Sequence, residues 1–303
     1  MSNSIAKAEV YSAVLDEVYK AESLTAVLDT PQDLVQWQGG NTARIFSTSL
    51  QGLGDYSRSN GFVTGDVNAS WETYALAYDR GRSLTVDNMD NEETLGMAFG
   101  TLAGGFVRTK EVPELDAYTF AKICGKSGIS SAAANLSAVT DILDAIDTAQ
   151  ADMDENEVPM EGRILFVSPL VYKAIKGKIT RTLANEKEVQ RNVEMLDDMR
   201  VIRVPQSRFN TAIKLLNGTS SGEADGGYSN VPASGSSYKI NFLLVHPSAI
   251  MKVQKHRVPR IWTPDQNINA DAFKFDLRTY GDVFVKDNKV KGVYLHRGTT
   301  ANA

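Results

Sequence analysis

Cysteine is almost absent from this sequence, and long apolar runs are absent altogether. Cys124 is the only cysteine in 303 residues, so no intrachain disulfide can form and a reducing compartment fits best. We interpret Cys124 as a small core hydrophobe rather than a reactive thiol. No apolar run approaches the roughly 18 residues that span a bilayer. The segment Met1–Lys7 lacks the apolar region of a signal peptide, and we expect no membrane partner.

Lysine is missing from one long stretch, and all positive charge is missing from another. No lysine occurs between Lys20 and Lys110, and neither lysine nor arginine occurs from Ser127 to Gly162. The net charge of the chain is −5, which argues against a nucleic-acid clamp. The length allows one large domain or two modest ones, with enough residues for a core.

The sequence resembles several motifs of catalysis and ligand binding, but each of them is incomplete. Gly125–Ser127 resembles the end of a phosphate-binding loop, but Phe120 stands where the first glycine belongs. Asp152–Asn156 begins like a calcium loop, but Glu157 replaces the required glycine. The three histidines lack metal-ligand spacing: His246, His256 and His296. We therefore expect no catalytic residue, no cofactor and no metal, and a protein that is not an enzyme.

A helical pattern from Asp90 to Ile123, here called the spine, organises the first half of the chain. Large apolar side chains recur at helical spacing, at Leu95, Phe99, Leu102 and Phe106. Asp90 is expected to cap the start of the helix, and Pro113 to kink or restart it. Glycines at positions 96, 100, 104 and 105 destabilise a helix. They make sense where another backbone lies close.

Residues 3–29 are predicted to form a helical arm that ends before Pro31. Three of its apolar residues are candidates for contact with another subunit: Tyr11, Val14 and Val18. The pattern fits two structures equally, an ordinary packed terminal helix and an arm that docks on a neighbouring subunit.

Residues 42–86 are predicted to form a long hairpin, with strand-like runs on either side of a polar, glycine-rich middle at 52–70. A two-stranded hairpin is marginally stable alone, so we interpret it as a projecting contact element. Its arginines fit two interpretations, carboxylate pairing across an interface and solvated surface charges. The candidate contact residues are Tyr56, Arg58, Phe62, Trp71, Tyr74, Tyr78, Arg80 and Arg82.

Residues of about 127–260 indicate one α/β module. The apolar runs Ile164–Val167 and Phe242–Val245 are predicted strands, and each is followed by a proline that begins a short helix. A helix with a solvated acidic face is expected at 137–151, a polar helix at about 182–198 and a surface loop at 217–237. The last forty residues alternate as strands, which we expect to pack under the spine.

The order of these segments and several short stretches of their sequence resemble the major capsid proteins of tailed bacteriophages, which have the HK97-like fold. The resemblance covers nearly the whole chain. The stretches that carry it are Val112–Tyr118 (Val-Pro-Glu-Leu-Asp-Ala-Tyr), Leu243–Ile250 (Leu-Leu-Val-His-Pro-Ser-Ala-Ile) and Thr279–His296, which begins Thr-Tyr-Gly-Asp-Val-Phe-Val.

The resemblance implies an α+β fold in four parts. These are an N-terminal arm at 1–40, an extended hairpin loop at 41–86, a spine helix with peripheral β-strands at 87–126 completed by 258–303, and an inserted α/β axial domain at 127–257. It also implies hexamers and pentamers of this chain that assemble into an icosahedral shell around double-stranded DNA.

Two departures from the family pattern refine what the resemblance implies. The founding member crosslinks through a lysine on its extended loop; this hairpin has no lysine, so we expect non-covalent stabilisation. The N-terminal segment is too short for a built-in scaffolding domain, so we expect a separate scaffolding protein, together with a portal. The net negative charge of the chain suits a shell wall that encloses double-stranded DNA without binding it sequence-specifically. The location implied is the virion capsid, assembled in the cytoplasm of a bacterial host.

Two other functions stay open from the sequence. The first is an encapsulin-like bacterial nanocompartment with the same fold and an enzyme cargo. The second is a soluble α/β enzyme or binding module, which would require a pocket with convergent polar groups.

Overall fold

The computed structural model describes residues 23–31, 35–38, 41–59, 61–93, 97–136, 138–178, 194–232 and 234–302. The helices are α1 (Asn88–Glu93), α2 (Met97–Phe106), α3 (Val112–Cys124), α4 (Val139–Glu155) and α5 (Pro169–Lys178). The strands of the first half are β1 (Gln36–Gln38), β2 (Thr42–Leu50), β3 (Val67–Ala75), β4 (Tyr78–Asp87), β5 (Ser130–Ala133) and β6 (Ile164–Val167). Those of the second half are β7 (Met195–Leu196), β8 (Met199–Arg203), β9 (Lys214–Leu215), β10 (Tyr228–Ser229), β11 (Tyr238–Val245), β12 (Ile250–Trp262), β13 (Ala272–Val285) and β14 (Val293–Ala301).

The spine consists of α1, α2 and α3, with a π-helical turn at Val107–Glu111 between the last two. The interruption predicted at Pro113 is this π-helical turn, in which the Val112 amide donates to the carbonyl of Val107, five residues back. The helix begins at residue 88, so Asp90 lies inside it, and Asp87 accepts the Met89 amide instead. None of these described helices is long and apolar enough to cross a membrane.

The expectation that other backbone lies against the spine glycines is wrong at two positions. Apart from the neighbouring backbone of its own helix, a side chain at Gly104 or Gly105 would meet no described atom within 4 Å. The apolar residues of the spine, Ala103, Val107, Val112 and Leu115, pack instead against Phe275 and Leu277 of an antiparallel sheet, ordered β12–β13–β4.

A six-stranded sheet, ordered β5–β14–β11–β6–β8–β7, forms the core of the α/β module. One face packs on α4 and α5 through Ile142, Ile146 and Ile175. The other face packs on α3 through Phe120, which lies 5.1 Å from Phe166 between ring centroids. Both faces are covered, which explains the continuous apolar runs of β6 and of Phe242–Val245 in β11.

We expected the C-terminal strands to lie under the spine, and both do, in two different sheets. β14 pairs with β11 and with β5 in the six-stranded sheet, and its Val293 and Leu295 share an apolar cluster with Phe120 of α3. Because its residues 293–296 are all buried, β14 takes a central position in that sheet. β13 packs under the spine from the other sheet.

Two helix predictions are wrong, one of them only at its end. The segment after Val245 makes only a short 3-10 turn at Pro247–Ala249, and β12 then begins at Ile250, opposite Val285 of β13. A polar helix was predicted at about 182–198; residues 182–193 lie outside the described residues, and its end is instead the strand β7, with a turn at Asp197 and Asp198 into β8. The acidic helix is confirmed as α4, with exposed Asp141, Asp144 and Asp147.

The end of the N-terminal arm is held by two buried charges. Asp116 of α3 is fully buried and accepts hydrogen bonds from the Ser23 hydroxyl (3.0 Å) and from the Thr25 hydroxyl (2.7 Å) and amide. Lys252 of β12 donates to the Thr25 carbonyl and pairs with Asp29 at 2.7 Å. Residues 26–28 form a 3-10 turn rather than the predicted helix.

Acid is expected to destabilise the six-stranded sheet through His296. This side chain stacks on Phe242, and its Nδ1 accepts the Asn241 amide group at 3.0 Å. Burial lowers the pKa of His296 below 6.5. The His296 imidazole therefore binds a proton more readily in the unfolded chain than in the folded one. The stabilisation that neutral His296 gives the folded chain is complete above pH 6.5 and is lost as the pH falls through the lower pKa of the folded chain. Urea unfolding at pH 7.5 and pH 5.5 tests this.

The control for that measurement is His296→Gln, which keeps a polar side chain and cannot titrate. Its free energy of unfolding should change less between the two pH values than that of the wild type. Equal changes in the two proteins would assign the acid sensitivity to other groups.

Candidate functional site: the projecting hairpin

β2 and β3 pair antiparallel from Thr42 opposite Ala75 to Leu50 opposite Val67. Nine residues of strand extend about 30 Å. β4 pairs with β13 rather than with β2. The hairpin predicted for residues 41–86 is therefore shorter in the structure, and its paired strands end at Ala75.

The described part of the tip, residues 51–59 and 61–66, has a defined shape although it lies beyond the paired strands. Ser57 and Gly61 exchange two backbone hydrogen bonds, of 3.1 and 2.7 Å. Gly61 has φ +79°, which an L side chain rarely adopts. Gln51 accepts the Asp66 amide at 3.1 Å and closes the base of the tip.

Large apolar side chains are exposed on this tip. Phe62 is 88% exposed, Val63 is 68% exposed, Tyr56 is 61% exposed, and Leu53 is fully exposed. The rings of Tyr56 and Phe62 meet edge to face, with centroids 4.9 Å apart. An apolar knob of this kind on a long projection marks an interaction site.

The base of the hairpin is fixed by polar contacts to the body of the protein. Asp282 of β13 is buried and accepts the Ala77 amide at 2.9 Å and the Tyr118 hydroxyl at 2.9 Å. Burial and the Asp282 carboxylate raise the pKa of Tyr118. The same carboxylate lies 3.7 Å from the ammonium of Lys122.

An apolar cluster also holds the base. Val35, Ala43 and Leu76 are buried against Met251 and Val253 of β12. The hairpin therefore leaves the body from a rigid root, which sets the direction in which the tip projects.

The predicted contact residues on the outer part of the hairpin are accessible. Tyr56, Arg58, Phe62 and Trp71 are all exposed. Tyr74 lies nearer the root, half-buried, and donates from its hydroxyl to Glu72 at 2.6 Å. Burial, with help from the Glu72 carboxylate, raises its pKa.

Tyr78 and Arg80 were predicted to contact another subunit, but the structure places both side chains against the body of their own chain. Tyr78 is 3% exposed, and its hydroxyl donates to Glu114 of the spine at 3.2 Å. The Arg80 guanidinium is 2.7 Å from the same carboxylate and also donates to the Gly227 carbonyl. Both lie on β4, inside the body of the protein. Arg82 is exposed and donates to the Ala224 carbonyl at 3.4 Å.

The candidate contact residues of the N-terminal arm, Tyr11, Val14 and Val18, lie outside the described residues. Cys124 packs against the core, and burial raises the pKa of its thiol. Within the described residues, no group of three histidine, cysteine, aspartate or glutamate side chains could hold a metal ion.

Sequence reasoning missed Leu53 and Val63, which complete the apolar knob. The signal was present: two aliphatic residues inside a glycine-rich polar stretch have no reason to be there unless something outside the stretch contacts them. Asp116 and Lys252 were missed as well, although each is a charge inside an apolar pattern.

Comparison with protein-family models and with the sequences of curated proteins gives no match. Comparison with solved structures gives many. The capsid structure of the cyanophage P-SCSP1u has a TM-score of 0.59 at 12% identity, over 88% of this chain and 85% of that one. The head structure of Helicobacter pylori bacteriophage KHP40 has a TM-score of 0.57 at 13% identity, over 91% and 90% of the two chains.

A third structure, the virus-like particle from Pyrococcus furiosus, has a TM-score of 0.55 at 12% identity and covers 96% of this chain and 99% of that one. These likenesses define the class: the chain has the fold of bacteriophage capsid proteins. The HK97-like α+β fold expected from the resemblance to tailed-phage major capsid proteins is confirmed as a likeness of fold.

Proposed function

We propose that this chain is a major capsid protein, which assembles with copies of itself into hexamers, pentamers and an icosahedral shell around double-stranded DNA. The projecting hairpin carries the proposal. A subunit that exposes an apolar knob on an arm about 30 Å long gains stability when that knob is buried on a neighbour. Its role is structural rather than enzymatic.

The proposed division of labour follows the chain. The hairpin reaches a neighbouring subunit, the spine and the sheet β12–β13–β4 form the peripheral domain, and the module built on the six-stranded sheet forms the axial domain around which capsomers close. Residues 1–40 act as the arm. A separate scaffolding protein and a portal are further proposed partners, with assembly in the bacterial cytoplasm.

Deleting Gly54–Gly65 is expected to leave a folded subunit that assembles into few or no shells. Among the described residues, none of the tip belongs to a core cluster, so thermal unfolding should stay near that of the wild type. Burial of a large apolar side chain stabilises by about 1.5–3 kcal/mol, and the deletion removes three of the four in the knob at every contact. Circular dichroism reports the fold, and negative-stain electron microscopy counts the shells.

A milder variant and a control sharpen the result. Leu53→Ser with Phe62→Ser keeps the length of the tip and should also impair assembly. Ile268→Ser removes a side chain that is 99% exposed in the loop between β12 and β13, and should assemble normally. Normal shells from the deletion would contradict the role given to the hairpin.

An encapsulin-like compartment is the second candidate, favoured by the near-complete mutual coverage with the Pyrococcus virus-like particle. The contents of purified shells distinguish the two functions. Nuclease-protected double-stranded DNA would support the capsid, and a co-purified enzyme without DNA would support the compartment. The soluble-enzyme alternative would require a monomer at high concentration.

A further inference from the structure

A cleft of about 450 Å³ lies where three parts of the chain meet. The spine forms one wall through Phe106 and Lys110, and the side of the sheet β12–β13–β4 that faces the spine forms another through Leu84 and Leu277. The loop that joins β9 to β10 forms the third wall. A cleft of this volume is in the range of sites that hold small molecules.

Hydrogen bonds hold the loop wall in place, so the cleft exists before any ligand enters it. Arg80 of β4 donates to the Gly227 carbonyl at 3.2 Å, and Arg82 donates to the Ala224 carbonyl at 3.4 Å. Gly218 lies so close that a side chain there would come within 2.9 Å of the Arg82 guanidinium. A preformed site of this kind binds a ligand with little further ordering of the protein.

Apolar surface and unpaired cations line the cleft together. Leu84, Phe106 and Leu277 supply the apolar surface. Arg82 and Lys110 are both exposed. In the part of the chain that the structure describes, neither of these two cations forms an ion pair with a carboxylate. The cleft therefore offers positive charge beside an apolar wall.

Most of the negative charge that lines the cleft is already paired. Glu114 pairs with Arg80 at 2.7 Å, and Glu111 pairs with Arg257 at 2.8 Å. The third lining carboxylate is Asp225, which is exposed. Set against the two unpaired cations, it leaves an excess of one positive charge in the cleft. This combination fits a ligand that carries a negative charge on an apolar body.

We infer that this cleft binds a small organic anion with an apolar body, of which a medium-chain fatty acid is an example. The hydrocarbon chain lies between the spine and the sheet, where its apolar surface leaves water. The carboxylate lies between Arg82 and Lys110, since a guanidinium pairs with a carboxylate through two parallel hydrogen bonds. The bound ligand touches spine, sheet and loop together, and so holds the loop against the spine. The inference goes beyond the shell function and does not depend on it.

Isothermal titration calorimetry of the unassembled subunit with decanoate tests the inference. Wild type should bind decanoate, and should bind decan-1-ol, which lacks the charge, about tenfold more weakly. Replacing both cations, in Arg82→Gln with Lys110→Gln, should weaken decanoate binding by a similar factor and leave binding of the alcohol unchanged. Asp225→Asn removes the opposing carboxylate and should strengthen decanoate binding. All three side chains are exposed, so the variants should keep the fold, which circular dichroism checks.

Two controls separate the cleft from other surfaces. Lys173→Gln removes an exposed lysine of α5, and Leu53→Ser with Phe62→Ser removes apolar surface from the hairpin tip. Both should bind decanoate as wild type does. A loss confined to the double cation variant, together with a gain in Asp225→Asn, supports the inference. No decanoate binding, equal binding of the alcohol, or a loss of binding in either control overturns it, and none of these results bears on whether shells form.

Discussion

Replacing Glu111 with glutamine should destabilise the subunit by about 3–5 kcal/mol, which is the usual cost of breaking a buried ion pair. The Glu111 carboxylate accepts from Arg257 at 2.8 and 2.9 Å and from the Thr279 hydroxyl at 2.9 Å. The charged parts of both partners are almost inaccessible to solvent, with side-chain exposures of 6% for Arg257 and 5% for Glu111. The variant would remove the Glu111 charge from beside this buried guanidinium.

The structure supplies a matched control for this effect. Arg278 forms the same two-pronged contact with Asp79, at 2.8 and 2.6 Å, on the outer side of the same sheet. There the side chains are 63% and 43% exposed, and water screens the attraction. Asp79→Asn should change the free energy of unfolding far less than Glu111→Gln does.

Urea unfolding of the unassembled subunit, followed by circular dichroism, gives both numbers under one condition. The comparison holds the chemistry of the pair constant and varies its burial. Similar losses from the two variants would show that burial does not decide the value of these pairs. A large loss only from Glu111→Gln would identify the π-helical turn as the fixed junction between the spine and its sheet.

Replacing Asp116 with asparagine should cost about 3 kcal/mol or more, since a charge at the centre of a buried network is removed. Its carboxylate receives hydrogen bonds from the residues at 23–25 and an ion pair from Arg208 at 3.3 Å. An asparagine keeps one acceptor and turns an NH₂ group toward these donors. The segment after residue 22 should therefore detach from the spine more often.

Limited proteolysis measures that detachment directly. Cleavage between residues 23 and 30 should be faster in Asp116→Asn than in wild type, because the segment is exposed to the protease only when open. Asp147→Asn, on the exposed face of α4, makes the same chemical change without a network and should match wild type. Unchanged cleavage in Asp116→Asn would show that Asp116 does not hold the arm.

Local patterns predicted the elements whose stability is local. The spine, the acidic helix α4 and the strand β13 follow from periodicity, because one buried face leaves a repeating apolar signal. The strand β6 follows instead from its short continuous apolar run, which is typical of a strand covered on both faces. The hairpin followed from two strand-like runs around a glycine-rich middle. In each case the residues that carry the signal are near neighbours in sequence.

Pairing between distant segments was the main source of error. β14 and β13 are both alternating apolar strands near the end of the chain, yet they lie in different sheets. β12 begins within a stretch that has helical spacing, and its pairing with β13 overrides that preference, as tertiary contacts often do. The burial of Tyr78 and Arg80 follows from the same cause, since β4 joins β13 rather than the hairpin.

The sequence by itself determined that the chain is an α+β protein with a long helix, a glycine-rich projection and no recognisable catalytic motif. Only the tertiary structure decided that four large apolar side chains are exposed on the tip of the projection, and that Asp116 and Lys252 hold one short segment between them. The physical reason is that burial and polar pairing depend on residues far apart in sequence, and no periodicity within a segment records which distant partner will cover it.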